Sequence, residues 1–171
     1  MRSIINEILG RGGHFVGGFV RDYLIRGEAF SDIDFVLPQE ENLGISLSKK
    51  TQTHAEFNVD NTTFHWQYSA FQTDLSCNFF HYSSDGIVAK PTKINYSYER
   101  SFELIKEKRF VYFTQNDMRI RHKMVCRGWI MTDSLHKQIR PTLHAPKHGS
   151  WEALNQIAKQ RIDALDTPPL I

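Results

Sequence analysis

Asp32 and Asp34 stand one residue apart in the run Ser31-Asp32-Ile33-Asp34-Phe35. On an extended strand successive side chains alternate between faces, so both carboxylates point the same way. Two carboxylates held on one rigid face form a donor set for a hard divalent cation, Mg2+ or Mn2+. Cations of this kind stabilise the attacking and leaving oxygens of phosphoryl transfer. Upstream, Gly17-Gly18 lets the backbone approach a ligand without a Cβ in the way. Phe19, Val20, Tyr23, Leu24 and Ile25 then recur at helical spacing, which puts the N–H groups of a helix start beside that turn. A turn suited to an anion followed by an acid pair suggests a site for a nucleoside triphosphate and its metal.

The elements that must position these residues are legible in part. Ile4, Ile5, Ile8 and Leu9 predict an opening helix, ended by Gly10, Gly12 and Gly13. His14-Phe15-Val16 reads as a strand, the diglycine as a turn, the next residues as a helix up to Gly27, and residues 32 to 37 as a strand stopped by Pro38. Leu43, Ile45 and Leu47 fit a helix or a loop equally well. Ala55, Phe57 and Val59, then Phe64, Trp66 and Tyr68, alternate with polar residues around Asp60-Asn61, which predicts a β-hairpin. From about residue 94 the apolar residues (Phe102, Leu104, Ile105, Phe110, Phe113, Ile120, Met124, Val125, Trp129 and Ile130) suggest helices in place of strands. A boundary near Pro91 divides a head, residues 1–92, from a helical region, residues 93–171. The tail reads as a last helix capped by Ser150, carried by Trp151, Leu154, Ile157, Ala158, Ile162 and Leu165, and closed by Pro168-Pro169. The class expected is α+β, with a small mixed or antiparallel sheet flanked by helices.

With 171 residues, of which 40% are hydrophobic, the chain can bury a real core. A formal net charge of +2 is too small to announce a nucleic-acid partner, but the basic residues gather late, at Arg119, Arg121, Lys123 and Arg127, then Lys137, Arg140 and Lys147. Cys77 and Cys126 belong to no metal-binding spacing and read as reduced, buried thiols. No apolar run reaches the roughly 18–20 residues of a membrane span and the N-terminus lacks a secretory pattern, so a cytoplasmic location without membrane contact is expected.

Val16-Gly17-Gly18, Val20-Arg21-Asp22, Leu24, Gly27 and Asp32-Ile33-Asp34 together resemble the signature of the poly(A) polymerase and tRNA CCA-adding branch of the DNA polymerase beta nucleotidyltransferase superfamily. The resemblance implies a nucleotidyltransferase head in which Asp32 and Asp34 are the catalytic metal ligands and Gly17, Gly18 and Arg21 bind nucleotide. A second segment, TDLSCNFFHYSSDGIV at residues 73 to 88, is similar to the family's nucleotide pocket, where an aspartate, a small hydroxyl residue and an asparagine precede a short apolar helix and an Asp-Gly turn. This implies nucleotide contacts from Asp74 and Asn78. SFELIKEKRF, residues 101 to 110, is similar to the helix after the head and implies a role for Arg109.

The chain departs from that pattern in two places. The strand expected to carry a third carboxylate, TTFHWQYSA at residues 62 to 70, holds no acid, and its polar face carries His65 and Gln67. Glu56 on the neighbouring strand and Asp60 at the turn are the candidates to replace it. The arginine pair that opens the family's pocket segment is Gln72-Thr73 here, which shifts phosphate binding to Gly17-Gly18, Arg21, and Arg26 or Arg109. The chain is also too short for the full neck, body and tail of a CCA-adding enzyme.

Arg119, Arg121, Lys123 and Arg127 with Trp129 nearby suggest a face for RNA, in which cations meet phosphates and an aromatic ring stacks on a base. His136, His144 and His148 lack the spacing of a metal site and read as a surface loop. The function expected is a minimal Mg-dependent nucleotidyltransferase acting from a nucleoside triphosphate on a hydroxyl acceptor of the RNA class, tRNA included. The alternative is a nucleotide- or RNA-binding protein that keeps the fold without turnover.

Overall fold

The computed structural model describes residues 1–70, 75–89, 98–112, 118–134 and 148–166. The strands are β1 (His14–Val16), β2 (Asp32–Val36), β3 (Lys49–Lys50), β4 (His54–Val59), β5 (Thr62–Gln67), β6 (Phe80–Ser83), β7 (Gly86–Ala89), β8 (Arg109–Tyr112) and β9 (Ile130–Ser134). The α-helices are α1 (Arg2–Gly10), α2 (Tyr98–Lys106), α3 (Met118–Cys126) and α4 (His148–Asp163). Seven strands form one sheet in the order β3-β4-β5-β2-β1-β6-β7, and β8 and β9 form a second, two-stranded sheet. The fold is mixed α+β. Among the described residues of the large sheet only the β2–β5 pair is parallel, and the other neighbours run antiparallel.

Strand β2 is the middle strand, and its sequence explains why. Ile33 and Phe35 are fully buried, and the Phe35 ring packs against Phe15, Phe57, Phe64 and Trp66 at centroid separations of 5.9–6.3 Å. The alternation that sends these two inward sends Asp32 and Asp34 to the other face. The β4–β5 hairpin closes through Asp60 and Asn61, both with positive φ (50° and 64°), the two-residue turn that matches strand twist. Buried residues of α1, the large sheet, α2, β8, α3 and α4 belong to one hydrophobic cluster that spans both halves of the chain. Helix α4 lies along edge strand β7, where Asn155 Oδ1 accepts the Ile87 N–H at 2.8 Å, and reaches the segment after the diglycine, where Arg161 Nη1 donates to the Leu24 carbonyl at 2.6 Å.

Several elements differ from the sequence expectation. Residues after Asn78 form a hairpin, β6–β7, in place of a short apolar helix; only Ser76–Asn78 makes a 3-10 turn. Phe80 and Tyr82 are buried while His81 and Ser83 are not, a period of two that was present in the sequence. The region from residue 93 onward is not purely helical, since Arg109–Tyr112 and Ile130–Ser134 pair as parallel strands. Short apolar runs look alike as strands or buried helix segments, and tertiary pairing decides between them. Residues 41–48 carry no regular helix or strand, although Leu43 is buried. Helix α4 starts at His148, so Ser150 lies inside it and is not its cap, and His148 is not in a loop. Cys77 is buried, but Cys126 is exposed, with Sγ 3.4 Å from His122 Nε2, because the inward stripe of α3 runs through Met124. Asp74, Gln72-Thr73, Phe113, His136, His144, Lys137, Arg140, Lys147 and Pro168-Pro169 lie outside the described residues. Among the described residues no helix is long and apolar enough to cross a membrane.

Candidate functional site

Strand β1 ends at Val16, and Gly17 follows with φ +69°. A Cβ at Gly17 would lie 3.0 Å from Asp34 Oδ2, so both the left-handed backbone and the space require glycine. The diglycine therefore sits directly against the second aspartate, as the register Val16↔Asp34 demands. The segment after it, Phe19–Ile25, is a seven-residue π-helix instead of the α-helix that the spacing suggested. Phe19, Val20, Leu24 and Ile25 are buried, which leaves the wider turn to turn the neighbouring Arg21 and Asp22 together.

Asp34 is the electrostatically unusual group. Burial pushes its carboxyl up to about 6, and the negative charge of Asp32 adds to the effect, while His65, Lys123 and Arg21 pull the other way. An acid pair that resists full ionisation is relieved by a cation, and two carboxylates are a hard-ion donor set, so Asp32 and Asp34 fit Mg2+ or Mn2+ with further oxygens supplied by ligand and water. Among the described residues no group of three His, Cys, Asp or Glu side chains converges on one metal position.

The place beside Asp34 on the parallel strand is held by His65. Its Nε2 lies 3.3 Å from Asp32 Oδ2 and its Nδ1 3.4 Å from Glu56 Oε1, so the imidazole bridges the first aspartate and a glutamate one strand further out. Of the two candidate replacement acids, Glu56 thus reaches the pair through His65. Asp60 points away, ion-paired with the Met1 amino group at 3.0 Å.

Arg21 is buried, and its guanidinium is largely engaged: Nε and Nη2 donate to Asp22 at 2.8 and 2.6 Å, and Nη1 donates to Asn78 Oδ1 at 3.0 Å. Burial works against its charge, but the bonds to Asp22 outweigh this and raise its proton affinity. Burial also drives the neighbouring Cys77 thiol up to about 12, so it stays protonated. The Arg26 guanidinium is engaged away from the acid pair. Its Nη1 donates to the Ile105 and Lys106 carbonyls at 2.7 and 2.8 Å, closing the C-terminus of α2, and its Nη2 pairs with Glu28 at 2.7 Å. Arg109 pairs with Glu107 at 3.5 Å on β8 and does not line the site.

Gly17, Gly18, Arg21, Asp32, Asp34 and Asn78 line one cleft of about 710 Å³, within the roughly 300–1,000 Å³ of small-molecule sites. Its other wall is basic: Lys123, Arg127 and Trp129, grouped in the sequence as a face for RNA, with Lys108, which the sequence reading did not single out. Ile120, Lys123, Met124 and Arg127 form an i, i+3, i+4, i+7 stripe along and just past α3, and that mixture of cations with apolar residues on one helical face was the available signal. Trp129 is buried, with the Arg21 and Arg26 guanidiniums 5.4 and 5.6 Å from its ring centroid, so it anchors arginines where a stacked base was expected. Arg119 and Arg121 do not line the cleft.

Comparison with protein-family models, with curated proteins and with solved structures returns no match to this chain.

Proposed function

We propose that this chain is a small metal-dependent nucleotidyltransferase that moves a nucleotide from a nucleoside triphosphate to a hydroxyl acceptor, with RNA as the acceptor class. The observation that carries the reading is the convergence of the diglycine, both aspartates and Asn78 in one cleft of nucleotide size. Asp32 and Asp34 would hold Mg2+ or Mn2+, which when bound supplies Lewis-acid stabilisation of charge on the reacting phosphate. In the reaction the acceptor oxygen would form a bond to the α-phosphorus, the bond from that phosphorus to the bridging oxygen would break, pyrophosphate would leave, and the hydroxyl proton would pass to solvent water. Gly17 makes room for Asp34, His65 fixes the orientation of Asp32, and Arg21 holds Asn78 towards the nucleotide. Both cysteines are free thiols, in keeping with a reducing compartment, and a cytoplasmic setting is part of the proposal.

A labelled nucleoside triphosphate incubated with RNA and magnesium should become acid-precipitable with the wild type and not with the Asp32→Ala, Asp34→Ala double variant. Equal incorporation by both rejects the assignment. His65 at the place of a third acid favours a second reading, a binding protein without turnover on the same scaffold. Calorimetric binding of nucleotide with no product over a panel of acceptors would select that reading.

A further inference from the structure

The charges around the cleft do not cancel evenly. Of the acids that line it, Asp22 is paired with Arg21 at 2.6 Å, and Glu28 is paired with Arg26 at 2.7 Å and with Lys108 at 3.7 Å. What is left is Asp32 and Asp34 on the wall built by β2, and Lys123 and Arg127 on the wall built by α3. Among the described residues neither Lys123 nor Arg127 makes an ion pair, and both side chains are solvent-accessible at the cleft. A helix C-terminus favours cations there in any case. That preference does not require them to lie on the cleft-facing stripe with Ile120 and Met124, and the field of Lys123 reaches Asp34.

Two acids without an arginine or lysine partner, Asp34 and the His65-contacting Asp32, and two cations without an acid partner in one cleft call for a ligand that is itself divided, a cation at one end and a chain of anionic oxygens at the other. Residues four apart on a helix present their heads about 5–6 Å apart at Cβ, a spacing that lets two long side chains grip neighbouring phosphates. Building on the nucleotide reading above, we propose that Lys123 and Arg127 bind the β- and γ-phosphates of the nucleotide while its reacting phosphate rests against Asp32 and Asp34. Both residues are thereby assigned to the small-molecule substrate and not to the backbone of an RNA. Lys108, held at positive φ (59°) and bonded to Glu28, supports the same wall.

Calorimetry on the full chain with a nonhydrolysable nucleoside triphosphate, the matching diphosphate and monophosphate, and a short single-stranded RNA tests this. For the wild type, affinity should rise with each added phosphate. In the Lys123→Ala, Arg127→Ala variant, triphosphate affinity should fall by roughly 10- to 100-fold while monophosphate affinity holds, so the dependence on phosphate number flattens. Lys50→Ala, Lys159→Ala removes equal charge from exposed positions outside the cleft and should leave every affinity at the wild-type value. The inference is overturned if the Lys123, Arg127 variant binds triphosphate like the wild type, if the distant pair weakens binding as much, or if only RNA binding is lost. A wild type that binds no triphosphate of any base overturns the nucleotide reading itself, a result distinct from all of these.

Discussion

The two walls of the cleft are built on different principles. The acidic wall is the middle strand of a seven-stranded sheet, with Ile33 and Phe35 clamped beneath it and ladders to β1 and β5 on either side. Its short carboxylates have little freedom, and that suits a cation whose ligands must be fixed. The basic wall rests on a nine-residue helix in which, among the described side chains, Met124 alone is buried, next to the exposed Val125 and Ile130. Long cationic side chains on a lightly packed helix can follow a flexible polyphosphate. On the proposed reading, rigidity falls where bonds would be made and broken, and adaptability where charge would only be held.

The largest effects expected are on the acidic wall. Asp32→Ala and Asp34→Ala should each lower nucleotide incorporation by on the order of 10³-fold, the several kcal/mol attributable to metal-stabilised charge. A reduction below about tenfold in either variant would erase the asymmetry between the walls. Beneath that wall, Phe35→Ala should destabilise the fold by about 3–5 kcal/mol in a denaturant titration, whereas Lys123→Ala should stay within about 0.5 kcal/mol. Similar losses from both would mean the helix is as structural as the strand.

Asp34 gives the comparison a pH dependence. Its folded proton affinity is raised, to about 6, so the protonated form is the one the fold prefers. The resulting stabilisation is complete below the unfolded value near 4 and is lost as pH rises through about 6. Asp34→Asn, which imitates the protonated acid, should therefore exceed the wild type in stability by about 3 kcal/mol at pH 7.5 and match it below pH 4. Added magnesium should raise the melting temperature of the wild type at pH 7.5 and not that of the variant. A flat difference across pH would remove the claim that the ionised pair is strained. The smallest of these effects concerns the joint between the walls: Arg26→Ala, which frees the α2 carbonyls and the face of Trp129, should cost about 1–2 kcal/mol in the same titration.

Much of the acidic wall was legible because its signals are local. The alternation through Asp32-Ile33-Asp34-Phe35, the diglycine and the Asp60-Asn61 turn all act within a few residues, and all three stand in the structure. The β6–β7 hairpin and the β8–β9 pair were misread for the opposite reason, since a short apolar run takes the form that its partner offers. The arginines show the same limit. From sequence Arg26 and Arg109 were both candidates for phosphate, Arg109 also by resemblance, yet one closes a helix 79 residues away and the other pairs beside its own strand.

The order of residues alone thus fixed which side of β2 is acidic and why glycine precedes it, because side-chain direction and backbone sign are properties of a few consecutive units. Tertiary packing alone decided that His65 stands between Asp32 and Glu56, and that Lys123 and Arg127 share the cleft with the acids. His65 is 33 residues from Asp32 and Arg127 is 93 residues from Asp34 along the chain, and sheet register and helix docking bring them together only when the whole core forms.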